Sequence, residues 1–376
     1  TIEFIIKHKT ILLLLIPIIL SIFLRIQPVY LPAADDWATN NVEGYYKNQI
    51  AQQISQQYPN LPETNKNLLI EGEYNKFLKE NKDSMKAQIE ANAQQMRTQF
   101  QDDSGQTYLL AIDPWFWYRL TENYLDHGYD YDLEVDGRYY NNHRLAPFLE
   151  EDLEVTGSTS KAQEFQVIVQ SFLYKVWRVF DSDVSLLKIA FLTPLIIATL
   201  SIIPIFFLVR KIAGDLGGLV AGTILAINPF GLTRTVAGFA DTDAFNFLFP
   251  IVIFGFLVLA IDHKKITQRI IYSALAGLSI GLYSFSWGGW MFMVSFSIFF
   301  LLGIIAFKLI KMIWNKKIKL NKFKEIGTVF VSFLIFSGIS TLITGRFSYF
   351  INAPKGIIKF IQLKAVATKT IWPNVY

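Results

Sequence analysis

The sequence predicts an all-α, polytopic membrane helical bundle with a large external first loop. Three observations predict it. Hydrophobic residues make up 52% of 376 and aromatic residues 15%, a load that suits the two interfaces of a bilayer. Seven apolar runs, at 11–24, 186–209, 216–230, 245–261, 270–285, 291–309 and 326–343, are each long enough for most of a crossing. If they alternate, Lys7, Lys9, Arg210, Lys211, Lys264, Lys265, Arg269 and the basic cluster at 308–324 fall on one side.

The excess of Lys and Arg makes that side cytoplasmic. The opposite, extracytoplasmic side then receives residues 28–183, the loop around 241–243, the turn 286–290 and the tail from Arg346. The protein is expected to be a multi-pass protein of the cell membrane. A net charge of +4 gives no reason to expect nucleic acid as a partner. The absence of cysteine excludes disulfides, thiolate metal sites and thiol catalysis. The first residue is Thr1 and the last is Tyr376, so both ends are expected to be cut.

The first span occupies 1–27, and no small-residue cleavage site follows to make it a signal peptide. External loop 1 covers 28–184. Within it, 35–106 is a polar insert. Apolar residues at Val42, Tyr46, Ile50 and Ile54 mark one helical face. Pro59 and Pro62 break it, and Tyr74, Leu78, Met85, Ile89, Met96 and Phe100 form a sparse heptad stripe. A helical hairpin is expected, with no catalytic signal in it. Residues 107–184 hold a second acidic cluster and interfacial helices. Asp113 before Pro114 suits a helix start, where the carboxylate either caps the helix or faces a ligand. The acids at 126–136 and 150–154 read as a solvated loop, and His143 as a surface residue. The stretch 165–180 is amphipathic and reads as an interfacial helix rather than a span.

The multispan region, 185–345, carries Asp241 and Asp243, one residue apart between two apolar runs. Two carboxylates at the end of a membrane helix are costly unless something binds them. An Asp-rich solvated loop is the plainer reading. Hard oxygen ligands suit Mn2+ or Mg2+, and Asp113, Asp241 and Asp243 together could hold one such cation. Arg234 either orients a carboxylate, meets a phosphate, or pairs with a loop acid. Trp287 and Trp290 flank a Gly-Gly turn and read either as an interfacial belt or as a groove wall for lipid or sugar. Residues 346–376 begin a further external loop.

Five motifs in order, D-P-W-F-x-Y-R from Asp113, R-x-x-A-G-x-x-D-T-D from Arg234, S-W-G-G-W from Ser286, T-G-R-F from Thr344 and W-P-N-V-Y from Trp372, resemble the oligosaccharyltransferase catalytic subunit family of the archaeal kind. The resemblance covers nearly all of the chain except 35–106. It implies a GT-C-like glycosyltransferase membrane domain followed by a soluble C-terminal domain of the same polypeptide. It implies transfer of an oligosaccharide from a dolichyl phosphate or pyrophosphate, the lipid-linked donor, to Asn in an N-x-S/T sequon of an acceptor polypeptide. By position, Asp113 and Arg234 would be catalytic, and Asp113, Asp241 and Asp243 would ligate the metal. Arg346, Lys355, Trp287 and Trp290 would meet substrate, although Lys355 equally suits an amphipathic surface helix. The catalytic Glu, the W-W-D-Y-G motif and the soluble domain of that family would lie beyond Tyr376, so the chain is expected to be inactive alone. The rival readings are a polyprenyl-phosphate-sugar-dependent transferase that modifies a glycan, a secondary transporter, and a purely structural membrane subunit.

Overall fold

The computed structural model describes residues 2–135, 138–140, 164–315 and 320–361. His143, the acids at 150–154 and the W-P-N-V-Y motif lie outside the described residues. The chain divides into two compact units, one of Ile26–Leu110 and one of Thr1–Arg25 with Ala111–Tyr376.

The smaller unit is the polar insert. It holds α2 (Pro32–Gln57), α3 (Glu63–Glu80) and α4 (Lys82–Gln99). The expected hairpin is present, but its second arm is broken. Asn81 leaves the helical region (φ −117°, ψ 23°) and its side-chain amide donates to the Phe77 carbonyl at 3.1 Å. An Asn that bonds its own backbone competes with the helix ladder. Val42, Tyr74 and Met85 form the buried centre, with Tyr46, Ile50 and Ile89 packed around them.

The larger unit is the membrane bundle. It contains α1 (Ile2–Arg25), α5 (Ile112–His127), α6 (Phe165–Arg178), α7 (Leu186–Leu200), α8 (Ile202–Ile227), α9 (Pro229–Thr235), α10 (Phe245–Asp262), α11 (Ile266–Ser286), α12 (Trp290–Trp314), α13 (Leu320–Ile343) and α14 (Phe347–Ile361). A two-stranded hairpin, β1 (Leu133–Val135) with β2 (Arg138–Tyr140), is the exception to the helical class.

Five helical stretches are long and apolar enough to cross a membrane: His8–Tyr30, Leu186–Ile227, Thr242–Asp262, Trp290–Trp314 and Lys324–Ile343. The second, 42 residues long, folds back on itself. Ala213 and Gly214 leave helical geometry, Gly214 at φ 73°. A Cβ on Gly218 would lie 2.8 Å from the Phe206 carbonyl, and one on Gly222 would lie 3.3 Å from Ile202 Cγ2. Pairs 206–218 and 202–222 converge only if the second half runs antiparallel to the first. Small residues allow that close approach. The runs at 186–209 and 216–230 are thus two arms of a hairpin, the first loosened at Ser201. α11 holds four buried serines, which lowers its hydropathy, yet it is buried against α10 and α13. With it, the seven apolar runs each form one arm of the bundle among the described residues.

Charge sorts the two ends. Lys9 meets Asp215 at 3.8 Å, Lys211 meets Asp262 at 2.8 Å, and Arg269 meets Glu325 at 3.0 Å. The opposite end carries the acidic loop. The core between them runs along Phe245, Phe249, Ile253 and Leu257 of α10, against Ile280 and Tyr283 of α11 and Phe333 of α13. Phe249 stacks on Tyr283 at 5.2 Å.

α6 is amphipathic as expected, with its polar face turned inward. Gln166, Gln170 and Ser171 are buried, whereas Phe172, Val176 and Trp177 are exposed. Such a helix offers hydrocarbon outward and hydrogen bonds inward, to the loop that carries the acids.

Candidate active site

The acidic loop, residues 236–241, runs from α9 into a short 3-10 turn, Thr242–Ala244. Gly238 has φ 90°, a conformation that side chains disfavour. Its N–H donates to the Phe191 carbonyl of α7 at 2.7 Å. The buried Gln166 Nε2 of α6 donates to the Ala240 carbonyl at 3.2 Å. Asp241 is the N-cap of the 3-10 turn, and its Oδ1 accepts from the Thr242 N–H at 2.6 Å. The same oxygen accepts from Trp117 Nε1 of α5 at 2.9 Å. Two donors fix one carboxylate oxygen and leave Oδ2 for a ligand.

Asp113 lies in the first turn of α5, which starts at Ile112 with an extended Ala111 as N-cap and no side-chain cap bond. Asp113 is thus the second residue of the helix and not its N-cap, so of the two readings the capping position is not the one it occupies. Further along α5, Arg119 Nη1 pairs with Asp132 at 2.9 Å. Burial and the Glu122 carboxylate push the Tyr118 phenol up to about 12. Tyr118 thus stays protonated at neutral pH and donates to Glu122 Oε1 at 3.4 Å.

A cavity of about 550 Å³ joins these elements. Asp113, Trp117, Glu164, Asp241, Trp287 and Arg346 are on its wall. Arg346 arrives there through the T-G-R-F turn. The Gly345 N–H donates to the Leu342 carbonyl at 3.1 Å, and the Arg346 N–H to the Thr341 carbonyl at 2.7 Å. This is a Schellman stop, with Gly345 at φ 70°. It ends α13 and turns Arg346 over the Phe285 ring at 5.2 Å. In the S-W-G-G-W turn, the Trp287 ring covers Gly289, where a Cβ would meet it at 2.1 Å.

Several expected site residues stand elsewhere. Asp243 is not on the cavity wall; it pairs with Arg234 at 3.9 Å and accepts from Asn246 Nδ2 at 3.5 Å. Arg234 is likewise off the wall, stacked over Phe239 at 5.2 Å, so of its expected roles the paired one is seen. Lys355 is exposed on α14 and off the wall, which matches the surface-helix alternative. Trp290 borders the cavity but is 3% exposed and belongs to the core. Trp287, 41% exposed, is the accessible member of the pair.

Among the wall residues that sequence reasoning did not single out, three carry polar groups that bear on the site. Trp117 sits inside a quoted motif, but its partner is far along the chain. Glu164 stands directly before the amphipathic α6, which was the available signal. Ser286 Oγ is buried on the wall and lacks a hydrogen-bond partner among the described residues.

Among the described residues no three His, Cys, Asp or Glu side chains are close enough to hold one metal ion together. The expected three-aspartate site is not assembled. The donors on the cavity wall still fit a hard cation: Asp113 and Asp241 supply carboxylate oxygens, and Asp243 is within electrostatic reach of both. Mg2+ is commonly held by one or two carboxylates, with water and substrate phosphate completing the shell.

The comparisons agree in direction. A dolichyl-phosphooligosaccharide-protein glycotransferase of Methanococcus voltae is 32% identical over 297 residues, 73% of this chain and 31% of that protein. Another, of Methanocaldococcus jannaschii, is 32% identical over 176 residues, 45% of this chain and 18% of that one. The solved structure of the oligosaccharyltransferase AglB from Archaeoglobus fulgidus, in complex with an inhibitory peptide and a dolichol-phosphate, is 20% identical, with a TM-score of 0.48, and the match covers 72% of this chain and 30% of that one. The chain thus spans about a third or less of the length of each. The family model described as oligosaccharyl transferase STT3, N-terminal, matches residues 84–375, a range that takes in every wall residue named above. The chain belongs to the STT3 oligosaccharyl transferase family and corresponds to its N-terminal region.

Proposed function

We propose that this chain is the membrane part of an enzyme that transfers an oligosaccharide from a dolichyl phosphate or pyrophosphate to the side-chain amide of Asn in N-x-S/T sequons. One observation supports this above the rest: Asp113, Asp241, Trp287 and Arg346, from four separate segments, border a single cavity at the acidic end of the bundle. The excess of Lys and Arg at the other end supports an extracytoplasmic site.

An amide nitrogen is a weak nucleophile because its lone pair is delocalised. Asp113, which is not the N-cap of its helix, accepts hydrogen bonds from the acceptor amide and draws the lone pair back to nitrogen. Arg346, on the same cavity, is the cation for the leaving phosphate. Trp287 offers a flat apolar wall for the sugar or the lipid. Asp241, fixed through Oδ1, keeps Oδ2 in a constant position. A bound Mn2+ or Mg2+ would be held by Asp113 and Asp241, with Asp243 beside them, and would supply positive charge to the reacting groups. The C-terminal soluble domain of the same polypeptide would complete sequon recognition.

The test uses the full-length enzyme in native lipid, given lipid-linked oligosaccharide and an N-x-T peptide. Glycopeptide is expected, and Asp241→Ala should abolish it and weaken Mn2+ binding. A glycan product formed without the peptide, or transport with no product, would overturn the proposal.

A further inference from the structure

Arg25, the last residue of α1, is 2% exposed. An arginine at the end of a membrane helix ordinarily extends its charge to water; this one does not. Its guanidinium ends on neutral oxygens. Nε donates to Thr235 Oγ1 at 2.9 Å, and Nη1 to Ser21 Oγ at 3.0 Å and to the Ala226 carbonyl at 2.9 Å. Ala226 lies in the last turn of α8, where the helix dipole presents its negative end. Ser21 Oγ also meets Thr199 Oγ1 of α7 at 3.0 Å.

The backbone of the same residue takes part. The Arg25 carbonyl accepts from the Ala237 N–H at 2.9 Å. Arg25 therefore grips position 235 by its side chain and position 237 by its main chain. Thr235 passes the link on, donating to the Gly231 carbonyl of α9 at 2.7 Å. Immediately before this grip stands Arg234, the partner of Asp243; four residues after it stands Asp241. A buried charge needs compensation from its surroundings, and one of the three groups that supply it, Thr235, is the root of the acidic loop.

Resting on the proposed function, we infer that Arg25 is a positioning residue: it anchors the acidic loop to α1 and so sets where Asp241 and Asp243 stand for a divalent cation. Lysine cannot replace it, because one ammonium on a flexible stem cannot reproduce the planar fork that meets Thr235, Ser21 and Ala226.

The experiment compares Arg25→Lys and Thr235→Val with wild type in the full-length protein in detergent. Hydrogen exchange of the metal-free protein is read across 236–243, and Mn2+ affinity is read by electron paramagnetic resonance. Both variants should speed exchange in 236–243 selectively and weaken Mn2+ binding roughly 10- to 100-fold, the usual effect of losing a group behind a ligand. Each variant leaves a buried polar group unpaired and should melt a few degrees below wild type while staying folded. The double variant should lose no more affinity than either single one, because both remove one link. Unchanged loop exchange and Mn2+ affinity would overturn the inference, as would exchange that rises equally through α1, α7 and α8. If Arg25→Lys fails to fold, Thr235→Val decides alone. Neither readout uses glycan transfer, so a wrong assignment of donor or acceptor leaves the outcome intact.

Discussion

Trp117 donates its indole N–H to Oδ1 of Asp241 at 2.9 Å, across 124 positions of sequence. The bond joins the first acidic motif to the second and places both on one cavity. A hydrogen bond to a charged group contributes about 1.5–3 kcal/mol. Trp117→Phe keeps the ring and removes the donor. Transfer is expected to fall roughly 10- to 100-fold on that basis, with the melting temperature little changed. An unchanged rate in a lipid-linked oligosaccharide assay would show that Thr242 alone orients Asp241.

Gly345 is the second point of leverage. At φ 70° an added Cβ meets backbone strain rather than neighbours, since nothing lies within 4 Å. Gly345→Ala should cost roughly 1–2 kcal/mol of stability, and Gly345→Asn less, because Asn tolerates the left-handed region. Both should raise the KM for the lipid-linked donor by displacing Arg346. Thermal melts together with donor titrations test this; an unchanged KM would remove Arg346 from donor binding.

Gly277 tests how the bundle holds together. A Cβ there would lie 2.6 Å from the Ser337 N of α13, and Ser340 Oγ donates to the Gly277 carbonyl at 2.8 Å. Gly277→Val should force α11 and α13 apart and destabilise the protein by about 1–3 kcal/mol or more. Gly255, with nothing within 4 Å, should accept Ala without loss. Equal melting temperatures for the two variants would refute the contact.

Asp130 gives a pH signature. Burial raises its carboxyl above the ordinary value of 3.8, and its Oδ2 accepts from the Glu164 N–H at 3.1 Å. A raised acid binds its proton more tightly in the folded state. Its stabilising contribution is therefore complete below the unfolded value and is lost as pH rises through the folded one. Asp130→Asn should be the more stable protein at neutral pH, with the difference fading as pH falls toward 3.8. A less stable variant at neutral pH would mean that the bond to Glu164 outweighs the burial cost.

The membrane arms were legible because hydropathy is a property of consecutive residues, and the basic end because charge sorts with it. The Ala213–Gly214 turn was legible too, as the polar gap between two apolar runs. The break at Asn81 was not, because the heptad stripe runs through it and one side-chain bond decides it. The inward polar face of α6 was also hidden. Amphipathic spacing reveals two faces, but which one meets hydrocarbon depends on neighbours. The motifs singled out Asp113, Asp241 and Arg346, and these three border one cavity. The motifs could not separate Asp241 from Asp243, since it takes the contacts with Arg234 and Asn246 to set the latter apart. Glu164 escaped because its company is tertiary.

The tie between Trp117 and Asp241 also orders events in time. A ribosome adding about 5–20 residues per second needs on the order of ten seconds to pass from the first acid to the second. For that interval the nascent chain carries Asp113 without the acids of the second motif. On the proposed function, competence to hold a cation would therefore await insertion of the later helices, and an unfinished chain would carry no assembled centre.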